Sequence, residues 1–130
     1  LDYGIFAALQ TAAETALNLP DVYLHEVQAR YRTRRDFLIQ GLAELGWDIP
    51  KTRATMYLWV PCPPGLGSTD FALSVLQQTG VVVTPGNAFG SGGEGYVRIS
   101  LIADCDRLQQ MLQRFQQANI RFQPALVGQG

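Results

Sequence analysis

At 130 residues the chain is one domain by length, large enough for a real core but small for an enzyme with a bulky cofactor. Hydrophobic residues make up 47%, charged residues 16%, and the formal net charge is -1, so no field is strong enough to draw in nucleic acid or an anionic membrane. No apolar run reaches the ~18 residues of a membrane span and no charged segment precedes a signal-like core, so the expected location is cytoplasmic.

The low charged fraction implies that some of the surface is meant for burial. Cys62 and Cys105 lack the spacing of a zinc or redox motif and read as inert thiols. The chain opens on Leu1-Asp2-Tyr3-Gly4 without an initiator methionine, as a fragment would.

Over residues 3–17, Ile5, Phe6, Leu9, Ala12, Ala13, Ala16 and Leu17 recur at three- and four-residue steps and predict an alanine-rich amphipathic helix, ended by Leu19-Pro20. Leu24, Val27, Tyr31, Arg34, Leu38, Gly41 and Leu45 then trace the seam of a long helix from Asp21 to a stop at Gly46. Arg34 and Gly41 interrupt that seam, as in a helix that bridges two bodies. Residues 55–60 combine β-branched and aromatic side chains and predict a strand, closed by the turn cluster Pro61-Cys62-Pro63-Pro64-Gly65. Ser68 or Thr69 is the expected cap of a helix that reaches Gly80. Val81-Val82-Val83-Thr84 reads as a short buried strand, residues 96–101 as another after a glycine-rich loop, and a last helix starts at Asp104 with Leu108, Met111, Leu112 and Phe115 inward. The order predicts an α/β (α+β) domain in which a small three-stranded mixed sheet packs against helices.

The loop Thr84-Pro85-Gly86-Asn87-Ala88-Phe89-Gly90-Ser91-Gly92-Gly93-Glu94-Gly95 has the glycines of a phosphate cradle, but it runs into a strand and lacks the GxxxxGK[ST] pattern. A hairpin connection is the better reading. Alternation in the next strand sends Val97, Ile99 and Leu101 to one face and Tyr96, Arg98 and Ser100 to the other. Arg98 is then either a solvated cation on an open face or a planar fork, fixed on a rigid strand, for a carboxylate. Tyr57 and Trp59 share one face of their strand, available for substrate contact or core packing. His25 has no second ligand nearby, so no metal site is expected. Arg30, Arg32, Arg34 and Arg35, close to Glu26 and Asp36, read as a solvated helix face. Lys51, the only lysine, reads as a surface charge.

The run T-P-G-N-A-F-G followed by G-Y-V-R-I-S-L resembles the signature near the C-terminus of class I/II aminotransferases dependent on pyridoxal phosphate (PLP). D-Y-G at residues 2–4, R-Y-R-T-R-R-D at 30–36, the Gly46-Trp47 step and A-T-M-Y-L-W-V at 54–60 follow in the same order, and D-Y-G points to the aspartate and LL-diaminopimelate branch. The resemblance implies the C-terminal small domain of such an enzyme over residues 1–130, with an interdomain helical segment at 1–45 and the α/β sheet domain at 46–130. It implies a PLP-dependent homodimer that moves an amino group between an amino acid and a 2-oxo acid, with Arg98 holding the substrate α-carboxylate. The Schiff-base lysine and the phosphate grips precede this region in the family, and Lys51 matches no lysine of the motif. No catalytic or cofactor-binding residue is therefore expected here, and the chain should be inactive without the missing large PLP-binding domain. The competing expectation is a non-enzymatic α/β module that uses Arg98 or the loop for a carboxylate ligand or a protein partner.

Overall fold

The computed structural model describes residues 4–122 and divides the chain into two compact units, Leu1–Arg30 and Tyr31–Gly130. The first unit contains helix α1 (Ala7–Leu17) and the start of helix α2 (Asp21–Glu44). Helix α1 begins four residues later than its periodicity predicts and buries none of its residues, and Asp2 and Tyr3 of the D-Y-G run lie outside the described residues. Ile5, Phe6, Leu9 and Leu17 are exposed, as are Val22, Tyr23 and Leu24 of α2.

The second unit holds strand β1 (Tyr57–Pro61), helix α3 (Ser68–Thr79), strand β2 (Thr84–Pro85), strand β3 (Tyr96–Ser100) and helix α4 (Cys105–Gln117). The sheet order is β1-β3-β2. Both pairings are antiparallel, where a mixed sheet was expected. Helix α3 crosses from β1 to β2 and leaves a slot between them; β3 returns from β2 through the glycine loop and fills it, so it runs against both neighbours. The second strand is also shorter than its valines imply. Its ladder is confined to Thr84–Pro85, Val83 is buried and Val82 is 80% exposed. Pro85 has no N–H to extend the ladder, and a 3-10 turn starts at Gly86, so only an edge strand fits.

One face of the sheet carries Leu58, Val60, Val97 and Ile99 into a core shared with Phe71 and Val75 of α3, Leu38 and Leu42 of α2, and Leu108, Met111, Leu112 and Phe115 of α4. The buried Trp47 joins that core and satisfies its indole N–H by donating to the Pro61 carbonyl at 2.8 Å. Helix α2 ends as expected, with Gly46 at φ +97°. Its interrupted seam has a physical cause at both positions. A Cβ on Gly41 would collide with the Leu112 side chain, so the glycine admits α4. Arg34 donates to the carbonyls of Leu101 and Ile102 at 3.1 and 2.7 Å and ties α2 to the exit of β3. Arg35 bonds the Thr52 carbonyl at 2.6 Å and Asp36 at 2.8–2.9 Å. These two arginines are partly buried ties, not the solvated face that their charge pattern suggested.

Candidate functional site

The opposite face of the sheet is polar and aromatic. Period-two alternation places Tyr57 and Trp59 of β1 and Tyr96 and Arg98 of β3 on this side, away from the core. Trp59, Arg98 and Thr84 lie opposite one another across the three strands, which puts Arg98 at the centre of the face. Its guanidinium carbon sits 4.1 Å from the centroid of the Tyr57 ring and 4.4 Å from that of Phe89. Trp59 continues the surface, stacked on Tyr96 at 5.6 Å and edge-on to Phe89 at 6.0 Å.

Arg98 is half-buried, yet among the described residues no carboxylate pairs with it; the ion pairs there join Arg35 and Lys51 to Asp36. A partly desolvated cation ordinarily needs a partner. The two rings supply part of that stabilisation through their negative faces. A carboxylate is the kind of planar anion that a guanidinium fork can receive bidentately.

The glycine loop is more than a hairpin connection, because it delivers Phe89 to this cation. It folds as two 3-10 turns, Gly86–Phe89 and Ser91–Gly93. Gly86 and Gly93 touch backbone to backbone, and a Cβ on either would collide with the other's carbonyl oxygen. The buried Ser68 hydroxyl donates to the Gly93 carbonyl at 3.2 Å and accepts from the Gly95 and Tyr96 N–H groups at 2.8 and 3.2 Å. Asn87 donates to the Thr69 hydroxyl at 3.0 Å. Neither Ser68 nor Thr69 caps α3 as expected. The Glu94 carboxylate does so from the loop, accepting from the Ser68 N–H at 2.7 Å. That N–H is the main reason why the Glu94 carboxyl titrates below its ordinary value of 4.5. Nearby, burial, with the Glu94 charge second, pushes the Cys62 thiol up to about 11.

Of the residues singled out in the sequence, Arg98, Tyr57 and Trp59 come together here, whereas Phe89 and Glu94 were missed. Phe89 follows Asn87-Ala88 in a turn-forming stretch whose only aromatic is itself, which was the available signal. His25 is exposed on α2, and the described residues contain no cluster of metal ligands. No helix among them is long and apolar enough to cross a membrane.

The chain carrying this arginine is similar to known proteins in sequence and in fold. Residues 3–115 match the family described as aminotransferase class I and II, and the chain belongs to that family. It is 46% identical over 122 residues to LL-diaminopimelate aminotransferase 2 of Trichormus variabilis, a match that covers 94% of this chain and 31% of that protein. Among solved structures it is similar to apo-BacF from Bacillus subtilis, with a TM-score of 0.85 and 35% identity over 93% of this chain and 31% of that one. An aminotransferase from Staphylococcus aureus gives a TM-score of 0.81 at 35% identity, over 92% of this chain and 32% of that one. The chain thus spans about a third of the length of the curated relatives that it matches.

Aminotransferases of this family use PLP. The residues present do not fit that group. The chain's single lysine, Lys51, has a side chain 65% exposed and faces Asp36 at 3.6 Å in a solvated ion pair.

Proposed function

We propose that this chain is the C-terminal small domain of a PLP-dependent aminotransferase that moves an amino group between an amino acid and a 2-oxo acid. Residues 1–45 form the helical interdomain segment and 46–130 the α/β sheet domain. The cofactor and the Schiff-base lysine belong to a large domain outside this chain, so the chain alone is inactive. The parent is a cytoplasmic homodimer. Identity to LL-diaminopimelate aminotransferases at 43–46% supports LL-diaminopimelate as its amino acid.

The carrying observation is Arg98, a half-buried cation centred on the outer sheet face, packed by two rings and unpaired with any acid among the described residues. In this role the guanidinium receives the substrate α-carboxylate, and the rigid strand beneath it fixes where the substrate lies. This chain contributes binding and orientation. Proton transfer falls to residues outside it.

Arg98→Lys in the full-length enzyme tests the role, because lysine keeps the charge and loses the fork. Truncating one partner of a desolvated charge pair costs about 2–5 kcal/mol, and lysine retains part of the contact, so kcat/KM should fall roughly ten- to a thousandfold. Cofactor binding should be unchanged, and discrimination against amines that lack the α-carboxylate should weaken. Near-normal kcat/KM with unchanged preference for α-carboxylated donors would remove Arg98 from the site.

A further inference from the structure

The geometry points to Phe89 and Tyr57 as positioning residues that clamp the Arg98 guanidinium between two rings and so set the plane in which it meets a carboxylate. The inference rests on the carboxylate-binding reading of Arg98. A strand fixes the Cα of an arginine and leaves its long side chain free to sweep; something else must hold the fork. Among the described residues the guanidinium has no ion pair, and the two rings at 4.1 and 4.4 Å are what flank it.

Phe89 is the aromatic that the loop brings to this cation. It is 52% exposed, so burial contributes little to holding it. Its ring is instead braced edge-on by Trp59, which is stacked on Tyr96. The 3-10 turn that carries it is fastened at its start, by Asn87 on Thr69 and by the Gly86–Gly93 backbone contact. The chain of support therefore runs from the sheet through Tyr96 and Trp59 to Phe89, and ends on Arg98, which the Tyr57 ring also contacts. A clamp of this kind acts on the affinity for the carboxylate and not on the chemical step, because the rings stabilise the cation before and after substrate arrives.

The test is steady-state kinetics of the full-length enzyme with Phe89→Leu, Tyr57→Leu, Phe89→Tyr, Arg98→Lys and the Phe89→Leu/Arg98→Lys pair. The expected result is that each leucine variant raises KM for the amino donor roughly three- to thirtyfold, the range of a cation–π contact, with kcat within about twofold and an unchanged melting temperature. Phe89→Tyr should restore KM, and Phe89→Leu should add little on top of Arg98→Lys. Unchanged KM in both leucine variants while Arg98→Lys is impaired would sink the clamp and leave the carboxylate reading standing. A KM increase that Phe89→Tyr does not rescue, or one that adds fully to Arg98→Lys, would also sink it. An Arg98→Lys enzyme with normal kinetics would instead remove the reading on which the clamp rests.

Discussion

Glu94 caps helix α3 through the backbone N–H of Ser68, 2.7 Å from its carboxylate, although 26 positions separate the two residues. A helix start and a loop end are thereby made one unit, and the unit is charged.

Its stability should follow pH with a definite sign. The folded-state carboxyl titrates below 4.5, so its contribution is fully present above that pH and is lost as pH falls through the lower folded value. Urea melts of the chain between pH 6 and pH 3, run beside Glu94→Gln, should show an acid loss that is smaller in the variant. Some acid dependence should persist in the variant, because the Arg35 hydrogen bond lowers the Asp36 titration in the same direction. Identical pH slopes for the two proteins would show that the cap carries no charge-dependent stability.

The glycines of the loop should divide sharply. A Cβ on Gly86 would collide with the Gly93 carbonyl and come within 2.7 Å of the Tyr96 carbonyl, and backbone atoms cannot swing aside. Gly86→Ala is therefore expected to destabilise by about 1–3 kcal/mol, the ordinary range for forced overpacking. Gly92 faces open space, so Gly92→Ala should lie within about 0.5 kcal/mol of the parent. Thermal melts of the pair decide it, and equal midpoints would refute the backbone contact.

Gly41 and Leu112 should show coupling of opposite sign. Alanine at 41 raises helix propensity by about 1 kcal/mol but strikes the Leu112 side chain. Leu112 is 8% exposed, and Leu112→Ala should cost about 2–5 kcal/mol. In that background the added methyl enters the vacated space, so Gly41→Ala should be destabilising alone and stabilising beside Leu112→Ala. A double-mutant cycle by denaturant melts measures the difference; additivity within about 0.3 kcal/mol would rule it out.

The two thiols should separate in time. Cys62 is buried and its thiol is pushed to about 11, which leaves about one thiolate in a thousand at pH 8, whereas Cys105 is partly exposed. A disulfide reagent should titrate one thiol promptly and the second only on unfolding. Cys105→Ser should abolish the prompt phase.

Where local period decided structure, the sequence was readable. The alternation of β3 isolates Arg98 among apolar neighbours, and the spacing of Leu108, Met111, Leu112 and Phe115 draws the buried side of α4, capped by Asp104. Contacts set by tertiary approach were not readable. Val81, Val82 and Val83 are as apolar as a buried strand, but none of them joins the ladder, because pairing depends on where β3 arrives. Glu94 sits in a loop with no pattern around it, and its partner is on another element. Arg34 and Gly41 did carry a signal as interruptions of an apolar seam. A cation in such a seam must find acceptors, and Arg34 finds them 67 and 68 positions away; a glycine there marks close approach.

The sheet also separates the chain's two indoles. Trp47 is 2% exposed, with its N–H bonded to Pro61, whereas Trp59 lies on the outer face between Phe89 and Tyr96. The first is an optical gauge of whether the interior is intact, and the second of what happens around Arg98. With Trp59→Phe, emission follows unfolding alone. With Trp47→Phe, the remaining signal should respond to small carboxylates under conditions in which the fold does not change, so occupancy of the outer face can be watched in solution without turnover.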